Sequence, residues 1–130
     1  MKHKALSAVT LLAACALAHA ELSPQIAGEA RYLCGGIGQG EQQAMEAQAG
    51  QYDLMLTFAT SSGAYIADVD VSIADARGNV LLATRCGGPL MLVGLPRKSA
   101  YKITATSNGE ARQRTLSAGG RAVFTWPAQP

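Results

Sequence analysis

From residue 51 onward, apolar and polar residues alternate along the chain with the two-residue period of β-strands. The clearest run spans 65–73, where every second residue from Tyr65 to Ile73 is apolar. Glycine, asparagine, aspartate and proline interrupt the alternation at the roughly 8–12-residue spacing typical of all-β domains. The segments predicted as strands are 52–58, 65–73, 80–84, 90–95, 100–107, 111–116 and 121–126. This pattern predicts an all-β fold, a seven-stranded antiparallel β-sandwich.

The residues before this region follow a different pattern. Residues 21–30 show no period and are predicted as a flexible lead-in. A glycine-rich stretch follows Cys34, and the helix-forming run 41–48 then ends at Gly50. The predicted domain organisation is a signal peptide at 1–20, the lead-in at 21–30, a Gly-rich loop and one short N-terminal helix packed on the sandwich at 31–50, and the β-sandwich domain at 51–127.

The Asn-Gly turn at 108–109 decides which side chains two neighbouring strands place inward. A two-residue loop would direct Arg112 and Arg114 toward the core, whereas a three-residue loop with a glycine bulge shifts the register by one. Burying two unpaired guanidinium groups costs several kcal/mol. We therefore expect the bulged loop, which leaves Lys102, Arg112 and Arg114 as one exposed basic row.

The first 20 residues have the features of a cleavable export signal. Lys2 and Lys4 precede a short apolar run, and residues 18–20 (Ala-His-Ala) fit the small-x-small site that signal peptidase cuts. The apolar run is shorter than the about 20 residues that a membrane-spanning helix needs. We expect an exported protein, periplasmic or secreted, whose mature chain begins at Glu21 and has no transmembrane segment.

The cysteines agree with export. After cleavage Cys34 and Cys86 remain as a pair in an oxidising compartment, and we expect a disulfide between them. Cys15 leaves an alternative open, because residues 12–15 (Leu-Ala-Ala-Cys) also fit the lipobox pattern. In that pattern the cysteine is lipidated, and the protein is a membrane-anchored lipoprotein.

Charge separates along the expected mature chain. Residues 21–75 hold eight acidic side chains and one base, and residues 76–130 hold eight bases and one acid. If this separation survives folding, part of the surface is basic and suits an anionic partner. The alternative is that paired strands mix the charges. Since no Lys/Arg run has interleaved aromatic residues, we expect no nucleic-acid binding.

Histidine, on which many catalytic sites depend, is missing from the expected mature chain. Both histidines, His3 and His19, lie in the expected leader, so Ser-His-Asp sites and most zinc sites cannot be built. The glycines of residues 36–40 lack the spacing of a dinucleotide fingerprint. Asp68 and Asp70 are explained as the solvent side of a strand. We therefore expect no enzyme, no cofactor and no metal.

Residues 63–126 resemble the carboxypeptidase regulatory-like, transthyretin (prealbumin)-like domain. The resemblance lies in Tyr65–Ile73, the turn 75–79, Gly94-Leu95-Pro96 and Tyr101–Ala105. The preceding part of the chain, at 32–38 and 52–59, is similar to small exported bacterial proteins that carry such a domain. The family implies a transthyretin-like or Ig-like sandwich that is generally a non-catalytic module. One departure is Arg97-Lys98-Ser99, which stands where the family has Pro-Gly, and which predicts a longer, charged turn.

These observations favour a non-catalytic exported binding or accessory module whose partner is a protein, a glycan or another envelope component. We expect its contact surface at Arg97 and Lys98 and at the basic row of Lys102, Arg112 and Arg114.

Two alternatives remain from the same residues. The stretch Tyr32-x-Cys34 and residues 61–65 resemble short segments of bacterial lysozyme inhibitors, which would make the protein a periplasmic inhibitor of a secreted hydrolase. Exposed strand edges, which commonly mediate association, would instead suit a structural or assembly subunit. The ligand and the oligomeric state are not predicted.

Overall fold

The computed structural model describes residues 22–128. The expected signal peptide, its two histidines and Cys15 lie outside the described residues. The strands are β1 (Gln25–Ala27), β2 (Ala30–Gly35), β3 (Leu54–Thr60), β4 (Val69–Ala74), β5 (Val80–Cys86), β6 (Leu90–Gly94), β7 (Ala100–Ser107), β8 (Glu110–Ser117) and β9 (Gly120–Trp126). One helix, α1 (Gln39–Gln48), lies between β2 and β3 and continues into a single 3-10 turn, Ala49–Gln51.

The nine strands form two sheets. The first has the order β1-β2-β6-β3-β9 and the second the order β5-β4-β7-β8. All neighbouring strands run antiparallel except β3 and β9, which are parallel. The predicted all-β architecture with one short helix is confirmed, but the described residues form nine strands rather than seven, and one pair is not antiparallel.

Both additional strands precede residue 51. β1 and β2 form a hairpin whose turn uses Gly28 at φ +56°, and β2 pairs with β6 over five residues. β2 shows no alternation because both of its faces are covered near its end: Leu33 points outward under the helix, and Cys34 points toward the second sheet. A strand buried on two faces has no polar side to alternate with.

The core lies between the two sheets and takes alternate residues from both. Its fully buried members include Leu56, Phe58, Ile73, Met91, Val93 and Ile103. Cys34 of β2 and Cys86 of β5 form the expected disulfide, with their Cα atoms 5.5 Å apart. Beside it, the hydroxyl groups of Tyr32 and Thr84 are hydrogen-bonded at 3.3 Å. These two contacts join the sheets along one side of the sandwich.

Helix α1 covers the outer face of the five-stranded sheet. Met45, which is fully buried, packs on a second apolar cluster with Leu33, Met55, Leu90 and Leu92. At the start of the helix, the Glu41 carboxylate accepts a hydrogen bond from the Gly36 N–H at 2.9 Å. Within residues 22–128, no helix has the length and apolar content needed to cross a bilayer.

The strand predicted at 65–73 begins only at Val69. Asp68 has a φ of +60°, a left-handed conformation that interrupts the extended chain and that aspartate tolerates better than most residues. As a result Tyr65 and Ala67, expected to point inward, are exposed, and Ile66 packs against the core instead. The alternation was correct only for the second half of this segment.

The loop at 108–109 has two residues, so the prediction of a bulged, three-residue loop is wrong. Asn108 and Gly109 have φ values of +48° and +79°, the pair of left-handed conformations that a type I′ turn requires. The register places Arg112 and Arg114 on the inward side of β8. The burial cost does not arise, because β8 is an edge strand where Arg114 is exposed and 39% of the Arg112 side chain is accessible.

Candidate functional site

The expected basic row of three side chains is not formed. On β7, Tyr101 and Ile103 point into the core, so Lys102 between them points to solvent on the outer face of the second sheet. Arg112 and Arg114 stand opposite inward-pointing residues of β7 and therefore lie on the other face of the sheet. The register, which is set by the two-residue turn, separates the lysine from both arginines.

Arg112 is occupied by contacts within the protein. Its Nε donates a hydrogen bond to the Thr125 carbonyl at 3.1 Å, and its Nη2 forms an ion pair with Glu110 at 3.3 Å. Its guanidinium carbon lies 5.9 Å from the centre of the Trp126 ring. These contacts join β8 to β9 along the side of the sandwich opposite the disulfide, so Arg112 has a structural role.

Arg97 lies at a different place, in a cleft at one end of the sandwich. The β4–β5 turn (75–79) and the β6–β7 loop (95–99) meet there because β4 ends where its antiparallel neighbour β7 begins. The cleft has a volume of about 510 Å³. It is lined by Asp75, Ala76, Arg77, Asn79, Arg97 and Ser99, and we call it the basic cleft.

The turn that carries Arg77 is held by the Asp75 carboxylate. One oxygen of Asp75 accepts hydrogen bonds from the backbone N–H groups of Arg77 and Asn79, both at 2.9 Å, and the other accepts from the Asn79 side chain at 3.2 Å. The Asn79 N–H makes the largest contribution to lowering the pKa of Asp75 below its ordinary value of 3.8, and the Arg77 charge adds to it. The carboxylate is therefore ionised at neutral pH and committed to the turn.

Two hydrogen bonds to side chains outside the loop hold the loop that carries Arg97. The hydroxyl of the buried Tyr101 donates a hydrogen bond to the Arg97 carbonyl at 2.7 Å. At the start of the loop, the Asp53 carboxylate accepts a hydrogen bond from the Leu95 N–H at 2.7 Å. The Arg97 loop is thus fixed by bonds to the body of the fold, whereas the Arg77 turn is fixed by hydrogen bonds within the turn itself.

No cation of the basic cleft forms a close ion pair among the described residues, although Arg77 interacts electrostatically with the Asp75 carboxylate. Among the described residues the ion pairs are Glu110–Arg112 and Glu46–Arg121, so Arg77, Arg97 and the neighbouring Lys98 have none. Asp75 is the single acid in the lining. Guanidinium groups bind carboxylate, phosphate and sulfate oxygens with two parallel hydrogen bonds, so the arrangement suits an oxyanion.

Arg77 is the residue that sequence reasoning missed. The available signal was the pairing of the strands, because a turn after β4 and a loop before β7 must lie at the same end of a sheet in which these strands are antiparallel neighbours. Elsewhere in residues 22–128, no group of three or more His, Cys, Asp or Glu side chains is arranged to hold a metal ion.

The segments that resemble lysozyme inhibitors have different surroundings. Tyr32 and Cys34 are committed to the contacts between the sheets described above. Residues 61–64 form an exposed loop, which Thr60 stabilises by accepting a hydrogen bond from the Ala64 N–H at 3.0 Å. This loop and the adjoining Tyr65, which is also exposed, are the parts of these segments that another molecule can reach.

Comparison of the chain with protein-family models, with curated proteins and with solved structures gives no match in any of the three.

Proposed function

We propose that this protein is an exported, non-catalytic binding module, and that its basic cleft holds an anionic group of an envelope or extracellular polysaccharide. The observation that carries the proposal is the pair Arg77 and Arg97, which line one cleft from two separately fixed backbones and have no ion-pair partner among residues 22–128. Because these backbones are already fixed, the protein loses less conformational entropy when it binds a ligand.

The shape of the basic cleft favours a polymer side group over a flat membrane surface. A concave space of about 510 Å³ has room for a carboxylate, phosphate or sulfate group that projects from a polymer. Lys98, exposed next to Arg97, adds positive charge that raises the local concentration of an anionic chain.

Export is supported by the Cys34–Cys86 disulfide, because such bonds persist in oxidising compartments. A non-catalytic role is supported by the absence of histidine from residues 22–128. From the resemblance of residues 63–126, we also propose that the two sheets form a transthyretin-like domain.

The proposal is tested by titrating the purified mature protein with polygalacturonate and with uncharged dextran, and following backbone amide shifts by NMR. We expect polygalacturonate to shift residues 75–79 and 95–99, and we expect the shifts to weaken as salt rises, because exposed charges are screened. The R77E/R97E variant should lose the interaction.

The control is R85E/R114E, which makes the same change in net charge at two exposed arginines outside the cleft lining. Equal loss of binding in both variants would show non-specific attraction and would overturn the proposal. Binding to phosphatidylglycerol vesicles without binding to polygalacturonate would also overturn it.

A further inference from the structure

A second concave surface runs beside helix α1 on the outer face of the five-stranded sheet and shares no lining residue with the basic cleft. The helix presents Gln39, Gln42, Gln43 and Glu46 toward it. Their spacing of i, i+3, i+4 and i+7 places these four polar side chains on one face of the helix. This face is polar, whereas Met45 is fully buried under the helix.

The surface is a groove made of two adjoining cavities. One has a volume of about 420 Å³ and includes Tyr65, and the other has a volume of about 270 Å³ and includes Val123. Glu46 and Thr57 line both cavities, so the two are adjacent. We call the combined space the helix groove.

Tyr65 provides an aromatic ring in the lining of the helix groove. Its side chain is 54% exposed although its backbone is fixed. Tyr65 forms a β-bridge with Ala59, and the next residue, Ile66, donates a backbone hydrogen bond to the Phe58 carbonyl at 3.0 Å. An exposed aromatic residue on a fixed backbone offers a flat apolar surface at low entropic cost.

The helix groove has no unbalanced charge among the residues that line it. Glu46 and Arg121 form an ion pair across it at 3.2 Å. The remaining polar groups are neutral: the glutamine amides and the hydroxyl groups of Thr57 and Tyr65. Each amide both donates and accepts hydrogen bonds, and Gln42 uses one donor internally, on the Gly36 carbonyl at 3.0 Å.

We propose that the helix groove binds an uncharged oligosaccharide. Neighbouring sugar hydroxyls both donate and accept hydrogen bonds, which matches a row of amides along one helix face. The apolar C–H face of a sugar ring can lie against the Tyr65 ring. Sites for small ligands combine apolar surface with a few placed polar groups, and the helix groove has both. Its neutrality disfavours the anionic ligand proposed for the basic cleft.

The test uses cellotetraose and chitotetraose as probes, with the mature protein observed by NMR. We expect at least one probe to shift residues 39–46 and the Tyr65 amide with a Kd of about 1 mM or tighter. Y65A should weaken binding about tenfold, the effect of removing an aromatic anchor, whereas Y65F should keep most of it. Q39A/Q43A should weaken binding while the stability is unchanged, since both side chains are exposed.

Matched variants separate this site from the basic cleft. Q113A, an exposed glutamine of β8 outside the helix groove, should bind like the unmodified protein. R77E/R97E should also bind normally whichever probe the unmodified protein binds, so failure of one proposed site does not imply failure of the other. Absence of shifts with both oligosaccharides at about 10 mM, or shifts in the helix groove caused only by an unstructured peptide, overturns the inference.

Discussion

Arg112 lies over the indole ring of Trp126, with its guanidinium carbon 5.9 Å from the ring centre. The Trp126 Nε1 donates a hydrogen bond to the Glu110 carbonyl at 2.8 Å, and Arg112 binds both the Thr125 carbonyl and the Glu110 carboxylate. Arg112, on the inward face of the edge strand β8, thus joins the two sheets. Its aliphatic part covers apolar surface while its charged end stays accessible to water.

This contact predicts a stability loss for R112A. The variant removes one hydrogen bond to Thr125 and the cation–π contact, which together typically contribute about 1–2 kcal/mol. Urea unfolding of R112A and R114A provides the comparison, because Arg114 is exposed on the same strand and face. R114A should change the free energy of unfolding by less than about 0.5 kcal/mol. Equal effects would contradict the structural role of Arg112.

The type I′ turn predicts that G109A is destabilising. Gly109 has a φ of +79°, which costs a residue with a Cβ atom about 1–2 kcal/mol. G50A is the matched control, because Gly50 has no positive φ and an added Cβ would meet nothing within 4 Å. Thermal unfolding should show a lower Tm for G109A and an unchanged or higher Tm for G50A. A neutral G109A would contradict the two-residue turn.

The disulfide predicts a large effect for C34A/C86A. Cys34 and Cys86 are 52 residues apart, and closing a loop of this length stabilises the folded state by roughly 4 kcal/mol in the chain-entropy estimate. Chemical denaturation should show this loss. Dithiothreitol should produce a similar loss in the unmodified protein and no further change in the variant. If reductant destabilised the variant as well, the effect would not come from this bond.

The lowered pKa of Asp75 predicts that the stability of the protein falls at acidic pH. Its pKa is lowered in the folded chain by hydrogen bonds from Asn79 and from the Arg77 N–H. Because the folded-state pKa lies below the unfolded one, the stabilisation is complete above roughly pH 5 and disappears as pH falls through the folded-state pKa. A carboxyl ¹³C titration should give a midpoint for Asp75 below 3.8.

The D75N variant provides the control for this titration. It should lose less stability on acidification than the unmodified protein, since its side chain at position 75 does not titrate. A midpoint at or above 3.8 in the unmodified protein would contradict the assigned hydrogen bonds.

The sequence predicted the strands after residue 51 well, because most of them have one face in the core and one in water. On β9 this is clear: Ala122, Phe124 and Trp126 are all buried as expected, and Val123 between them is 55% exposed. The helix was also predicted within two residues of its start, since its composition favours a helix and Gly50 follows it.

The candidate site was predicted only in part. Arg97 and Lys98 were expected at a contact surface, and Arg97 lines the basic cleft. Arg77 was missed, because its proximity to Arg97 depends on which strands are neighbours in the sheet. Sequence alternation defines the faces of a strand but not its neighbours.

By itself, the sequence determined the all-β class, the positions of most strands and the pair of cysteines that form the disulfide, because these depend on local periodicity and residue type. Only the tertiary structure decided the register of β8, the break at Asp68 and the residues that meet in the basic cleft and the helix groove. The physical reason is that these features follow from competition between backbone turns and long-range pairing. An arginine on the inward side of an edge strand stays in contact with water, so its position does not require burying a charge. A local residue pattern does not show which strand lies at the edge of a sheet.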